Sequence, residues 1–230
     1  MSYPVSRDAV YSDDTSKERI HRELRRDIIM GHLGPGERLS VNDLAARYGI
    51  SITPIRDALQ MLGQEGLVTI RPRSGYFVTS ITLKQLRDLL DLREILEVAA
   101  VERSAVRVTA AELDELAHVH AGYTGDDDES YDRYTDENRR FHQLVANASG
   151  NQELAAELAR VHDRLARFMV MRHAGATQPH THARIQEALR AHDVAAAREA
   201  MLEEINETRD MLLDRVMQEE GSYWALGTHA

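Results

Sequence analysis

Four residues stand at spacings that let them meet inside a helical body. Asn138 and His142 are four apart, so they share one helix face, beside the apolar Phe141. His182 opens a later helical stretch, and Glu204 lies among Met201, Ile205 and Met211 on the last long one. If these helices close into an antiparallel bundle, all four side chains can point into one interior. Two imidazoles and a carboxylate are ligand types for zinc, nickel, manganese or iron, with the asparagine oxygen a weaker fourth. The other reading is that Asn138 and Glu204 simply hydrogen-bond to the two histidines. Eight of the eleven histidines fall between positions 118 and 192, so most of them are expected at solvated or satisfied core positions.

A second set of residues lies near the N-terminus. Ser51-Ile52-Thr53-Pro54-Ile55-Arg56 opens a helix, with proline in the first turn, where its missing N–H costs nothing. Ser51 and Thr53 are suited to bonding phosphates or bases, and Arg56, one turn in, to a bidentate pair with guanine. Arg71, Arg73, Ser74 and Gly75 occupy a turn between the β-rich runs 67–70 and 76–79. There they are placed to track a nucleic-acid backbone or minor groove, the glycine allowing close approach. For Arg56 the alternative is a surface ion pair with Asp57 or Glu37.

The elements that must hold these residues can be read from periodicity and punctuation. A helix is expected from Thr15 or Ser16, where Thr15 and Glu18 have capping-box spacing and Ile20, Leu24, Ile28 and Ile29 recur at helical intervals. Ser40 caps a short second helix that Gly49 stops, and the third runs from Ser51 or Thr53 to near Gly66. Helix, short helix, glycine turn, helix, hairpin is the order of a winged helix-turn-helix. From Thr82 onward the strand signals vanish, and six helices are predicted at about 82–107, 110–120, 130–148, 151–173, 181–191 and 194–219. The fold class is therefore mainly α, a winged helix-turn-helix followed by an all-α antiparallel bundle of about six helices. The expected division is a disordered arm (1–14), a winged helix-turn-helix head (15–80), an all-helical body (81–220), to which the family resemblance given below assigns effector binding and dimerisation, and a tail (221–230) containing Trp224. An acidic, turn-rich loop is expected at 122–129.

Composition narrows the class. The chain has no cysteine, which excludes disulfides and thiolate metal sites. It has neither a signal-peptide pattern nor an apolar stretch near the roughly 20 residues of a membrane helix, so no membrane partner and a cytoplasmic location are expected. The net charge of −10 at first argues against nucleic acid. Its distribution does not: residues 16–80 hold ten Lys/Arg against seven Asp/Glu, and the acidic excess lies in residues 81–230. A mildly basic head on an acidic body favours polyanion contact by the head alone.

The stretches GHLGPGERLS, DLAARYGIS, ITPIRDALQMLGQEGLV and RPRSGYFV together resemble the N-terminal domain of the GntR family of transcription regulators. DLREILE (91–97), NRRFH with SGN (138–151) and HARIQEALRAHDVAAAREAM (182–201) resemble the helical FCD domain of the family's FadR-like branch. The resemblance implies a homodimer that binds double-stranded DNA at an inverted repeat, with contacts from Ser51, Thr53, Arg56 and Gly75. Ile52 stands where the family usually has arginine, and Val41-Asn42 where a Glu-Arg-like pair is common, so an altered operator is expected. Ile52 could instead meet a thymine methyl group. In the FCD domain an aspartate and three histidines commonly hold a divalent cation. The matching positions here are Asn138, His142, His182 and Glu204, so the carboxylate has moved from the first position to the last. The resemblance also places a ligand-facing arginine at Arg93, with Arg140 and Arg172 as weaker candidates for clamping a small carboxylate metabolite. An intrahelical pair of Arg93 with Glu97 is the alternative. The expected function is a DNA-binding regulator, most simply a repressor, controlled by an organic acid at a metal site. A pure metal sensor is the runner-up. A metal-dependent enzyme is disfavoured, because there is no nucleophile elbow, phosphate-cradling loop or separate acid/base motif.

Overall fold

The computed structural model describes residues 11–119, 128–169 and 178–218. The chain divides into two compact units between Ser80 and Ile81.

The first unit is built on three helices and a small sheet: α1 (Tyr11–Ile29), β1 (Arg38–Leu39), α2 (Val41–Tyr48), α3 (Ile52–Gln64), β2 (Val68–Arg71) and β3 (Gly75–Val78). Ile20, Leu24 and Ile28 of α1 lie in one core with Ile55, Leu59 and Leu62 of α3, as their helical spacing predicts. The Ser40 hydroxyl accepts a hydrogen bond from the Asp43 N–H and starts α2. Gly49, left-handed at φ 66°, ends it. The sheet is antiparallel in the order β1-β3-β2, with Val68 opposite Val78 and Leu39 opposite Tyr76. The short strand β1 was not anticipated, because two residues carry no readable periodicity. α1 begins at Tyr11, so residues 11–14 are helical and not part of a disordered arm. The rest of that predicted arm lies outside the described residues.

The second unit is all-helical: α4 (Leu83–Arg107), α5 (Ala110–Ala117), α6 (Asp128–Ala148), α7 (Gln152–Met169), α8 (Gln178–Arg190) and α9 (Val194–Gln218). Both predicted capping boxes are present, Thr82 with Gln85 and Thr109 with Glu112. Gly150 follows α6 at φ 71°, and the Asp193 carboxylate accepts from the Ala196 N–H to open α9. α6 starts at Asp128, inside the predicted acidic loop, whose residues 122–127 lie outside the described region together with the tail. α4 is the central helix and packs on α6, α7, α8 and α9. Its two ends belong to different apolar clusters. Leu86, Leu89 and Leu90 pack with Val161 and Leu212, whereas Val101 and Ala105 pack with Phe141, Ile185 and Ile205. Among the described residues no helix is long and apolar enough to cross a membrane.

Candidate metal centre and nucleic-acid interface

A polar layer lies on α4 between the apolar clusters to which its two ends belong. α4 contributes Arg93 and Glu97, α6 Asn138 and His142, α7 His162, α8 His182 and α9 Glu204, and all seven side chains are buried. Helical spacing accounts for the pairs, since residues four apart project from one face. Arg93 and Glu97 follow Leu86 and Leu90 along α4, and Glu204 follows Ala197 and Met201 along α9.

His142 stands at the centre. Its Nδ1 is 2.9 Å from Glu97 Oε1 and its Nε2 is 3.4 Å from Glu204 Oε1. Arg93 reaches both carboxylates, donating from Nη2 to Glu204 Oε1 at 3.1 Å, with Nε 3.5 Å from Glu97 Oε1. His162 Nε2 is 2.7 Å from Glu97 Oε1. His182 stacks on Phe141 with ring centres 3.8 Å apart and meets His142 nearly edge-on. Phe141 thus sets the plane of one imidazole while its neighbour on α6 faces the carboxylates.

These contacts fix the charge states. Burial disfavours a charged Glu97, but His142 and His162 outweigh it and hold the carboxyl well below its ordinary range. Burial likewise opposes charge on Glu204, yet His142 and Arg93 lower it to about 2. His142 loses to burial but gains more from Glu204 and Glu97, and rises to about 9. His162 and His182 go the other way, burial dominating, to about 4 and about 3. Near neutral pH the cluster therefore holds two carboxylates, one guanidinium and one imidazolium. Its formal charge balances.

Two triads present ligand atoms within 4.8 Å of one another: His142, His182 and Glu204, and Glu97, His142 and His162. Metal–ligand bonds of about 2.0–2.2 Å set ligand atoms roughly 3.0–3.5 Å apart. The 3.4 Å between His142 Nε2 and Glu204 fits that spacing. The 2.7 and 2.9 Å approaches to Glu97 Oε1 are hydrogen-bond distances instead. Both nitrogens of His142 and of His182, Glu204 Oε2 and Asn138 Oδ1 are buried without a hydrogen bond among the described residues. The first triad therefore fits a divalent cation, with Asn138 one helical turn from His142 on the same face.

Of the four residues proposed from the sequence as ligands, the structure brings three together and buries the fourth nearby. Arg93 is wholly buried within the cluster, where it meets Glu97 and also Glu204. Arg140 is exposed and pairs with Glu115 on the surface, away from the cluster. Arg172 lies outside the described residues. Glu97 and His162 were not selected from the sequence as site residues. The signal for Glu97 was its fourth-residue spacing from Arg93, and for His162 only its place among apolar residues of α7.

In the first unit, the opening of α2, the exposed face of α3 and the hairpin of β2 and β3 form a groove. Arg38, Arg56, Arg71 and Arg73 line it, and no acidic residue does. None of these arginines forms an ion pair among the described residues, so the expected alternative for Arg56, pairing with Asp57 or Glu37, does not occur. Arg71 lies over the Phe77 ring at 4.5 Å. Ser51, Ile52 and Thr53 are exposed at the start of α3, and the Ser51 hydroxyl makes no cap bond. Arg73 at φ 62° and Gly75 at φ 108° turn the hairpin, holding Arg73 and Ser74 exposed at its tip. Arg38 and Gln60 also line the groove and were not selected from the sequence.

A winged helix-turn-helix with an arginine-lined groove, followed in the same chain by a helical domain, defines a DNA-binding transcription regulator rather than an enzyme. Residues 16–78 match the family described as "Bacterial regulatory proteins, gntR family", and residues 88–207 match the "FCD domain". The chain belongs to the GntR family, in the group with an FCD domain. It is 28% identical to the "HTH-type transcriptional repressor RspR" of Escherichia coli over 213 residues, covering 90% of this chain and 92% of that one. It is 31% identical over 153 residues to the "HTH-type transcriptional repressor GlaR" of the same species, covering 64% and 70%. Among solved structures, E. coli McbR/YncC shares the fold with a TM-score of 0.69 at 22% identity, over 87% of this chain and 98% of that one. A GntR-type regulator from Rhodococcus aligns over the same shares with a TM-score of 0.64 at 22% identity.

Proposed function

We propose that the helical unit regulates operator binding through a small carboxylate held at a divalent-cation site. The observation that carries this reading is the buried cluster itself. Nine of its polar atoms, on Arg93, Glu97, Asn138, His142, His182 and Glu204, have no hydrogen-bond partner among the described residues. Leaving a buried polar group unsatisfied costs roughly 1–3 kcal/mol, so such a set calls for a ligand that satisfies it. His142 Nε2, His182 and Glu204 hold the cation, and Asn138 supplies a weaker oxygen. Two imidazoles and a carboxylate suit zinc, nickel or manganese. The cation offers open positions to the ligand's carboxylate oxygens. Arg93 Nη1, which has no partner, donates to the same ligand.

Charge supports an acid. Replacing the proton on His142 by a dication leaves the balanced cluster one positive charge in excess, which a monocarboxylate neutralises.

In the head, Arg56 reads a base edge and Ser51 and Thr53 bond bases or phosphates. Ile52 gives an apolar contact, and Arg71, Arg73, Ser74 and Gly75 follow the backbone. Two chains pair to present two such heads to an inverted repeat, half-sites about one helical turn apart. Leu92, Ile95 and Val106 are exposed apolar residues of α4 that pairing would cover. The names of RspR and GlaR favour repression.

The chain passes from one unit to the other within a few residues. The Thr79 N–H bonds to Leu67 O, and Ile81 is already buried in the helical core. So short a tether suits the transmission of a change. The test is native mass spectrometry with elemental analysis on protein purified without metal-affinity steps, followed by operator titration. A dimer with about one metal and one small acid per chain, and an operator affinity that changes when the acid is removed, supports the reading. Metal without any acid converts it to metal sensing. Operator affinity unchanged by every ligand the bundle takes up defeats it.

A further inference from the structure

We propose that Glu97 and His162 are the positioning pair of this centre: Glu97, held by His162 and Arg93, fixes His142 as its Nδ1–H tautomer and thereby presents Nε2 to Glu204 and His182. The inference rests on the metal-site reading and assigns a role to two residues outside the ligand set.

The geometry separates the two carboxylates around His142. Glu97 Oε1 takes three approaches, at 2.7 Å from His162 Nε2, 2.9 Å from His142 Nδ1 and 3.5 Å from Arg93 Nε. Glu204 Oε1 is further from His142, at 3.4 Å, and its second oxygen has no partner. The Oε2 of Glu97 is likewise without a partner among the described residues, so the two carboxylates differ at Oε1: that of Glu97 is the closer to His142 and takes three approaches, that of Glu204 is the more distant and takes two. A neutral imidazole has one N–H and one lone pair, so a committed acceptor on Nδ1 leaves the lone pair on Nε2. A carboxylate behind a ligating histidine is the usual orienting device, and losing it typically weakens metal binding 10–100-fold. His142 Nδ1 lies near Glu97 but out of line for a hydrogen bond, so a small rotation of the ring completes the contact.

His162 acts one step further out. Its Nε2 leaves Glu97 Oε1 nowhere else to turn, and its burial on α7 brings a fifth helix into the centre. The triad Glu97, His142 and His162 is too tight around one oxygen for a second cation, which decides in favour of an orienting role.

The experiment titrates the metal-free full chain with cobalt(II), following its visible absorption, for wild type, Glu97→Gln, His162→Gln and the surface control Glu115→Gln. Imidazole nitrogen resonances of the zinc-loaded proteins report the His142 tautomer. Expected are a 10–100-fold loss of cobalt affinity and an altered band for Glu97→Gln, with a smaller loss in the same direction for His162→Gln. The control should match wild type, and His142 should carry its proton on Nδ1 only while Glu97 is present. If Glu97→Gln fails to fold, His162→Gln and the wild-type tautomer still decide. Wild type with the proton on Nε2, or variants that bind within twofold with unchanged bands, overturns the inference alone. Two cobalt ions per chain overturns it in favour of a second site. A wild type that takes up no cobalt brings down the metal reading and this inference with it.

Discussion

At the scale of the residue, the balance of charge around His142 makes the centre sensitive to substitution and to pH. Arg93 faces two buried carboxylates, so Arg93→Ala leaves them uncompensated. Breaking a buried pair in this way costs about 3–5 kcal/mol. With about 2–4 °C per kcal/mol for a chain of this size, melting should fall by about 6–20 °C. Arg140→Ala removes only an exposed pair with Glu115 and should change stability by less than about 0.5 kcal/mol. Equal melting temperatures for the two variants would show that Arg93 is not bearing the buried charge. The pH dependence of the metal-free chain follows from the same contacts. His142 is raised from 6.5 to about 9, so its contribution is complete below pH 6.5 and lost as pH climbs through 9. His162 and His182 are lowered to about 4 and 3, so protonation of the unfolded chain erodes stability as pH drops below 6.5. Glu204, lowered to about 2, adds a loss between 4.5 and 2. Stability should therefore peak near pH 6.5 and decline on both sides, measurable by denaturant titration. A flat profile from pH 6.5 to 9 contradicts the assigned state of His142. That His142, His182 and Glu204 come together could be expected from the sequence because the resemblance to the FCD domain singles out those positions. Glu97 and His162 were not legible there, because Glu97 reads equally well as a surface partner of Arg93 and His162 as one histidine of many.

At the scale of the element, caps and turns set the frame, and they were largely readable. Both capping boxes, the stop at Gly49 and the start at Asp193 are local devices carried by a few adjacent residues. Strand β1 and the early start of α1 were missed: β1 is two residues long and depends on pairing with residues 37 and 39 positions away, and α1 begins ahead of its first apolar repeat. Two glycine substitutions separate conformational strain from crowding. Gly49→Ala places a side chain at φ 66° in open space and should cost about 1 kcal/mol. Gly150→Ala meets similar strain at φ 71°, and its Cβ would also lie 2.7 Å from Arg107 Nη1. That nitrogen donates to Ser149 O, so Gly150→Ala should be the more destabilising in thermal melts. The groove yields a prediction of its own. Arg56→Ala, at the helix end facing bases, should lower operator affinity by about 1–3 kcal/mol and relax preference at one base pair. Arg38→Ala and Arg73→Ala should weaken all sequences alike, each lowering the salt slope by about one unit. Binding measured over a salt series on specific and random duplexes tells these patterns apart.

At the scale of the whole molecule, the chain couples a basic reader to an acidic body, and coupling has a quantitative signature. The head carries an excess of basic groups, while the acidic surplus lies beyond residue 80. DNA is drawn to the head and repelled by the body, so bulk charge orients the encounter but does not switch it. A switch needs a ligand whose affinity differs between the operator-competent and operator-incompetent states. Thermodynamic linkage then requires reciprocity: the factor by which the acid changes operator affinity must equal the factor by which operator DNA changes acid affinity. For a repressor released by its ligand, both factors should reflect weakening, by about 5–150-fold for typical coupling energies of 1–3 kcal/mol. Removing the cation with a chelator should weaken the acid first, and operator affinity should then lose its response to the acid while the head still binds DNA. Calorimetry for the acid with and without operator, and fluorescence anisotropy for the operator with and without the acid, give the two factors independently. Unequal factors would mean that the two assays follow different states, such as monomer and dimer. Equal factors of one would mean that the polar centre holds the helical body together and does not communicate with the reader.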